Sequence, residues 1–202
     1  MTEDFDETVD PRPDASRQSL AGGEGEVTIY AADEQNVEPV DLERYSELAR
    51  ASLESCGVRG NAELSLLFVD EASIAQLNVQ FMGHDGPTDV LSFPIDGDDV
   101  DDPHFSSATT GPDRPATDFD DLPLLLGDVI ICPSVARRNV EGGDRTWHAG
   151  TYEDELALLT VHGILHVLGM DHDNPEAEAV MKARTTELLT LHYDATSGGH
   201  PS

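Results

Sequence analysis

At 202 residues the chain has room for one domain with a real core and little room for a second. Its formal net charge is −30, with Lys182 the only lysine, so self-repulsion is strong at low salt and the composition points to a salt-adapted organism or a biased genome. Two widely spaced cysteines, Cys56 and Cys132, argue against a disulfide framework; an acidic N-terminus and no run near ~18 apolar residues argue against a signal peptide and a membrane span. The chain reads as soluble and cytoplasmic.

Residues 1–26 are acidic and rich in Pro, Gly and Ser, and read as a disordered extension. A short first strand follows at 27–30. Residues 39–56 carry a helical pattern, with Tyr45, Leu48, Ala49 and Leu53 near one stripe and Gly57 at its end. Residues 64–69 read as a second strand, and Asp70 as the cap of a helix through Phe81 that carries Ile74, Leu77 and Asn78. The turn cluster 83–87 leads into a third strand at 88–95. Residues 96–121 are dominated by Asp, Pro, Ser, Thr and Gly, too long for an ordinary connection, and read as a flexible acidic insertion.

Beyond the insertion, 124–132 is an apolar run broken by Gly127-Asp128 and fits a well-buried fourth strand. Pro133 opens a helix bearing Arg137 and Arg138. Thr151 and Asp154 form a capping-box pattern before a strongly apolar helix at 152–168. Asn174-Pro175 opens the last helix, with Val180, Met181, Leu188 and Leu189 as its buried face, and 193–202 is a polar tail. The sum is a single metallohydrolase-like domain at 27–192 of α+β class. Its mixed four-stranded sheet is covered by helices, and a central helix carries the candidate metal-binding histidines. Single helices between the first and second, and second and third, strands predict parallel pairs; the insertion can join the third and fourth as an antiparallel pair.

The run from His162 to His172 places three of the eight histidines within eleven residues. Residues four apart on a helix lie about 40° apart around its axis and roughly 6 Å along it, so His162 and His166 project as a chelating pair. Gly169 allows the helix to stop and turn, bringing His172 back toward the pair. A histidine in an apolar stretch is ordinarily a core residue; three at ligand spacing, with a glycine at the turn, point instead to a metal site. Three neutral donors with an open fourth position suit catalytic zinc, and nickel, copper or iron also accept imidazole. His84, His104, His148, His192 and His200 read as surface histidines. Zinc peptidases share the spacing as H-E-x-x-H-x-x-G-x-x-H, but their general base is a Glu and here that position is Gly163.

A second dense segment runs from Phe81-Met82-Gly83 through Pro87-Thr88-Asp89-Val90-Leu91-Ser92-Phe93-Pro94. With Leu126-Gly127-Asp128-Val129-Ile130-Ile131 and the histidine run, it resembles the YbeY family of metal-dependent endoribonucleases, over roughly residues 27–189. The resemblance implies one Zn2+ held by His162, His166 and His172, and cleavage of single-stranded RNA. It also implies a part in maturing the 3′ end of small-subunit (16S) rRNA and in ribosome quality control, on the small ribosomal subunit in the bacterial cytoplasm. The family commonly carries an arginine directly before the glycine of its R-G-x-D-x-P-T segment; Met82 stands there. Arg137 and Arg138 are then candidates for engaging RNA, although adjacent helical residues point different ways. Asp171 is a candidate to accept an N–H from a ligating imidazole, while Asp89 and Asp128 read as braces. The nucleophile would be a water activated by the ion, and no residue is assignable as its base. The alternatives are a non-catalytic ribosome-associated factor with a structural metal, and a metallopeptidase-like hydrolase.

Overall fold

In a computed structural model the described residues are 25–95, 123–142, 150–171 and 174–194. Most of the N-terminal extension, the acidic insertion, His104, His148, His200 and, within the histidine run, His172 and Asp173 lie outside the described residues. In chain order the elements are β1 (Val27–Asp33), α1 (Leu42–Ser55), β2 (Ala62–Phe68), α2 (Glu71–Leu77) with a π-helical turn at Asn78–Met82, β3 (Val90–Pro94), β4 (Leu124–Ile131), α3 (Pro133–Gly142), α4 (Tyr152–Val167) and α5 (Pro175–Leu189). A π-helical turn, Thr190–Asp194, follows α5.

The helix starts are set by side-chain caps. Asp70 accepts the Ser73 N–H at 2.8 Å, and Asn174 accepts from Glu176 and Ala177 with Pro175 in the first turn. At α4 the box is reciprocal: Asp154 N–H donates to Thr151 Oγ1 at 3.3 Å, and Thr151 N–H donates to Asp154 Oδ2 at 2.7 Å.

The sheet order is β1-β2-β4-β3, with β1, β2 and β4 parallel and β3 antiparallel to β4. The β1–β2 and β3–β4 pairings match expectation, but β2 and β3 are neither neighbours nor parallel. Burial explains the exchange. In β4 Leu126, Val129, Ile130 and Ile131 are all buried, so this strand takes an interior position. The shorter β3 ends at Pro94, which lacks an N–H and is tolerated at an edge. A register shift opposite Glu63/Leu64 leaves Gly127 at φ 143°, and a Cβ there would lie 2.2 Å from the Phe93 carbonyl oxygen. Glycine is therefore what lets β3 lie against β4 at this point.

The main core joins α1, α4 and α5 to one side of the sheet; a smaller cluster of Ile74, Leu91, Ile130 and Val135 lies under α2 and α3. Helix α4 packs against α1, α3, α5, β3 and β4. Two expectations need correction. Val180 is 57% exposed, because only Met181, Thr185, Leu188 and Leu189 of α5 turn inward. Tyr193, assigned to the tail from sequence, is buried with the Arg44 guanidinium 4.1 Å above its ring, so packing continues past residue 192.

Candidate metal centre

From Glu155 to Val167 every residue of α4 is buried except His162 and His166, which are half-buried. The two Nε2 atoms stand 3.2 Å apart, with ring planes at 86°. His162 Nδ1 is itself buried, leaving Nε2 as the atom that can bind a ligand. Two nitrogens about 2.0–2.1 Å from a tetrahedral zinc would lie about 3.3 Å from each other. The observed pair fits that bite.

The helix ends as its sequence requires. Gly169 takes φ 82°, its N–H donates to the His166 carbonyl and the Met170 N–H to that of Leu165, both at 2.9 Å. This is the Schellman arrangement, which reverses the chain. Met170 and Asp171 accordingly line the same cleft as the histidine pair. Among the described residues no three His, Cys, Asp or Glu side chains meet in a metal-holding group. The expected third donor, His172, lies outside them.

The cleft has a volume of about 430 Å³ and is also lined by Met82, Ser92 and Pro94. Among the described residues that line it there is no Lys or Arg. Gly163 faces the sheet: an added Cβ would lie 2.6 Å from Val129 Cγ1 and 3.1 Å from Ser92 Oγ. The position that holds the general base in zinc peptidases is thus closed by packing, since Val129 is itself fully buried.

Arg137 pairs with Glu38 at 2.8 Å and stacks 3.8 Å above the Tyr152 ring; Arg138 pairs with Glu71. Each arginine already has a carboxylate partner. Asp89 accepts the Val90 N–H at 2.9 Å and the Asn139 side-chain amide at 3.0 Å, tying the entry of β3 to α3. Asp128, on β4, stands in register with Ser65 and Phe93. Three contributions escape the sequence reading. These are the packing role of Gly163, the placement of Ser92 in the cleft, and the buried Asn78, whose amide donates to the Gly86 carbonyl at 2.9 Å. An amide in line with the apolar positions Ile74 and Leu77 is the signal for the last.

A sequence profile described as endoribonuclease YbeY matches residues 30–192. A Salinispora tropica endoribonuclease YbeY is 43% identical over 164 residues, covering 81% of this chain and 94% of its own. An Acidothermus cellulolyticus protein of the same name is 43% identical over 177 residues, covering 87% and 98%. A solution structure from Thermotoga maritima is 24% identical and covers 86% of this chain and 97% of its own, with a TM-score of 0.47. Matched across its strands, its cleft-lining loop and its histidine helix, the chain belongs to the YbeY family of endoribonucleases.

Proposed function

We propose that this protein is a zinc-dependent endoribonuclease specific for single-stranded RNA. It acts in maturation of the 3′ end of 16S rRNA and in ribosome quality control, on the small ribosomal subunit in the cytoplasm. The observation that carries the reading is the pair of Nε2 atoms 3.2 Å apart, opening onto a cleft. His162, His166 and His172 would hold the ion. When bound, zinc supplies a Lewis acid that polarises a phosphoryl oxygen and acidifies a water.

The chain's own residues do the rest. Burial on both sides of the pair fixes the two imidazoles in one orientation, so little ordering is left to the moment of binding. The Schellman turn returns Asp171 to the cleft, where its carboxylate can accept an N–H and hold an imidazole tautomer. Packing at Gly163 leaves no room for a base at that position. The proton acceptor is then the substrate phosphate, a carboxylate elsewhere near the cleft, or solvent. The same packing weighs against peptide hydrolysis.

The test is cleavage of an unstructured RNA by the wild type, by the wild type with chelator, and by His166→Ala. Loss in both treatments, restored to the wild type by added zinc, is expected. A non-catalytic ribosome-associated factor whose metal is structural is the second reading, favoured by the absence of Lys and Arg among the described residues lining the cleft. It predicts ribosome co-sedimentation that survives His166→Ala, with no RNA cleavage by the wild type.

A further inference from the structure

Where the chain turns after Gly169, Met170 and Asp171 line two hollows at once. One is the histidine cleft. The other, about 350 Å³, lies between that turn and the start of α5, where Asn174, Glu176, Ala177 and Val180 complete its wall. Both of its sides are fixed. The Gly169 and Met170 N–H groups close the end of α4, while Asn174 Oδ1 accepts the N–H of Glu176 at 3.1 Å and of Ala177 at 2.9 Å to cap α5. Ala177 and Val180 are three residues apart and share one face of α5. Val180 is left 57% exposed on it while its neighbour Met181 is buried in the core. An exposed apolar wall adjoining a site is the kind of surface a ligand covers.

The chemistry of this second hollow narrows the occupant. Met170, Ala177 and Val180 make its lining apolar, Asp171 and Glu176 add carboxylates, and its described lining brings no Lys or Arg. A phosphate finds no partner there. A flat ring with N–H groups on its edge does, because apolar side chains cover its faces and a carboxylate accepts from its edge. Adenine, cytosine and guanine carry such an amino group; uracil offers one imino N–H between two carbonyl oxygens, which a carboxylate repels. A duplex keeps these edges paired. Resting on the endoribonuclease reading above, we propose that the hollow between the Gly169 turn and α5 is a base subsite. It takes one amino-bearing nucleobase beside the phosphodiester presented to the histidine pair, with Val180 against the ring and Glu176 accepting from the amino group. The subsite contributes both a base preference and the preference for single strands.

The test uses a short oligoadenylate, a set with one uridine at a time and a set with one abasic nucleotide at a time. Fluorescence anisotropy against the wild type, Glu176→Gln and Val180→Asp is read before products accumulate; both side chains are exposed, so both variants should keep the fold. At one position, uridine or the abasic nucleotide should weaken the wild type about fivefold. Glu176→Gln, whose amide both donates and accepts, should bring uridine at that position within about twofold of adenine. Val180→Asp should weaken the oligoadenylate about fivefold and add less than about twofold to the abasic loss there. Affinities unchanged in both variants, or uridine losses equal at every position, overturn the subsite. A Val180→Asp defect confined to ribosome co-sedimentation assigns the hollow to a protein contact and overturns it equally. A wild type that binds no RNA removes the endoribonuclease reading and the subsite with it. Because binding is read without turnover, a wild type that binds as expected and fails to cleave removes the enzymatic reading alone.

Discussion

Two pairs of residues draw attention in this sequence, the histidines of α4 and the arginines of α3, and the fold treats them oppositely. His162 and His166 are four residues apart, and their Nε2 atoms meet at 3.2 Å over an open cleft. Arg137 and Arg138 are adjacent, about 100° apart around their helix. Arg137 turns to Glu38 and the Tyr152 ring, and Arg138 to Glu71. Spacing decides the outcome more than residue type does. Four-residue spacing converges on one point, while adjacent residues are pulled to whichever partner lies on each side.

The comparison is broken or sharpened by four changes. Losing one imidazole has the largest expected effect. His166→Ala should lower RNA cleavage on the order of a thousandfold, since two donors of the proposed set cannot keep the ion placed; a gel assay with and without added zinc measures it. A drop below tenfold would uncouple the histidine pair from the chemistry.

Packing behind the histidines comes next. Helix propensity alone favours alanine over glycine by about 1 kcal/mol. At Gly163, however, a Cβ would lie 2.6 Å from Val129 Cγ1, and overpacking of a rigid core costs about 1–3 kcal/mol. Gly163→Ala should therefore be less stable in urea denaturation, and part of the loss should return when Val129→Ala makes room. A stabilised Gly163→Ala would show that the helix does not close on the sheet there.

Alkaline pH probes the tyrosines around the core. Burial raises Tyr152 to about 12 from 10.0, and raises Tyr45 and Tyr193 as well. The folded form then holds protons that the unfolded chain releases, so stability is intact below pH 10 and falls as pH rises from 10 toward 12. Urea midpoints across that window should decline, and decline less in Tyr152→Phe.

The arginines should give the smallest response. Arg137→Ala removes a partly exposed ion pair and a stacking contact, worth about 1 kcal/mol together, and Arg138→Ala about half that. RNA affinity should change less than about twofold in either. A larger fall would mean that the arginines leave their carboxylates to meet the substrate.

Much of the fold could be read before any coordinates. Thr151 with Asp154, Asp70, and Asn174 with Pro175 mark helix starts because capping depends on residues only two or three positions away. The place of β3 could not be read that way. Its position beside β4 depends on how deeply the long apolar strand is buried and on Gly127 allowing close approach, both properties of the assembled sheet. The same division runs through the site. The histidine pair follows from helical periodicity and its turn from Gly169, whereas the partners of Arg137 and Arg138 come from segments 99 and 67 residues away. Gly163 shows both halves at once: sequence tells what it lacks as a base, and only packing tells why nothing larger fits.

Metal content and coordination test the central claim most directly. The tag-free protein, purified without added metal, should carry one zinc per chain, and its X-ray absorption should fit three imidazole nitrogens and one oxygen donor at about 2.0–2.1 Å. His166→Ala should lose the ion. Zinc retained in full by that variant, or a metal shell closed by four side chains, would contradict the account.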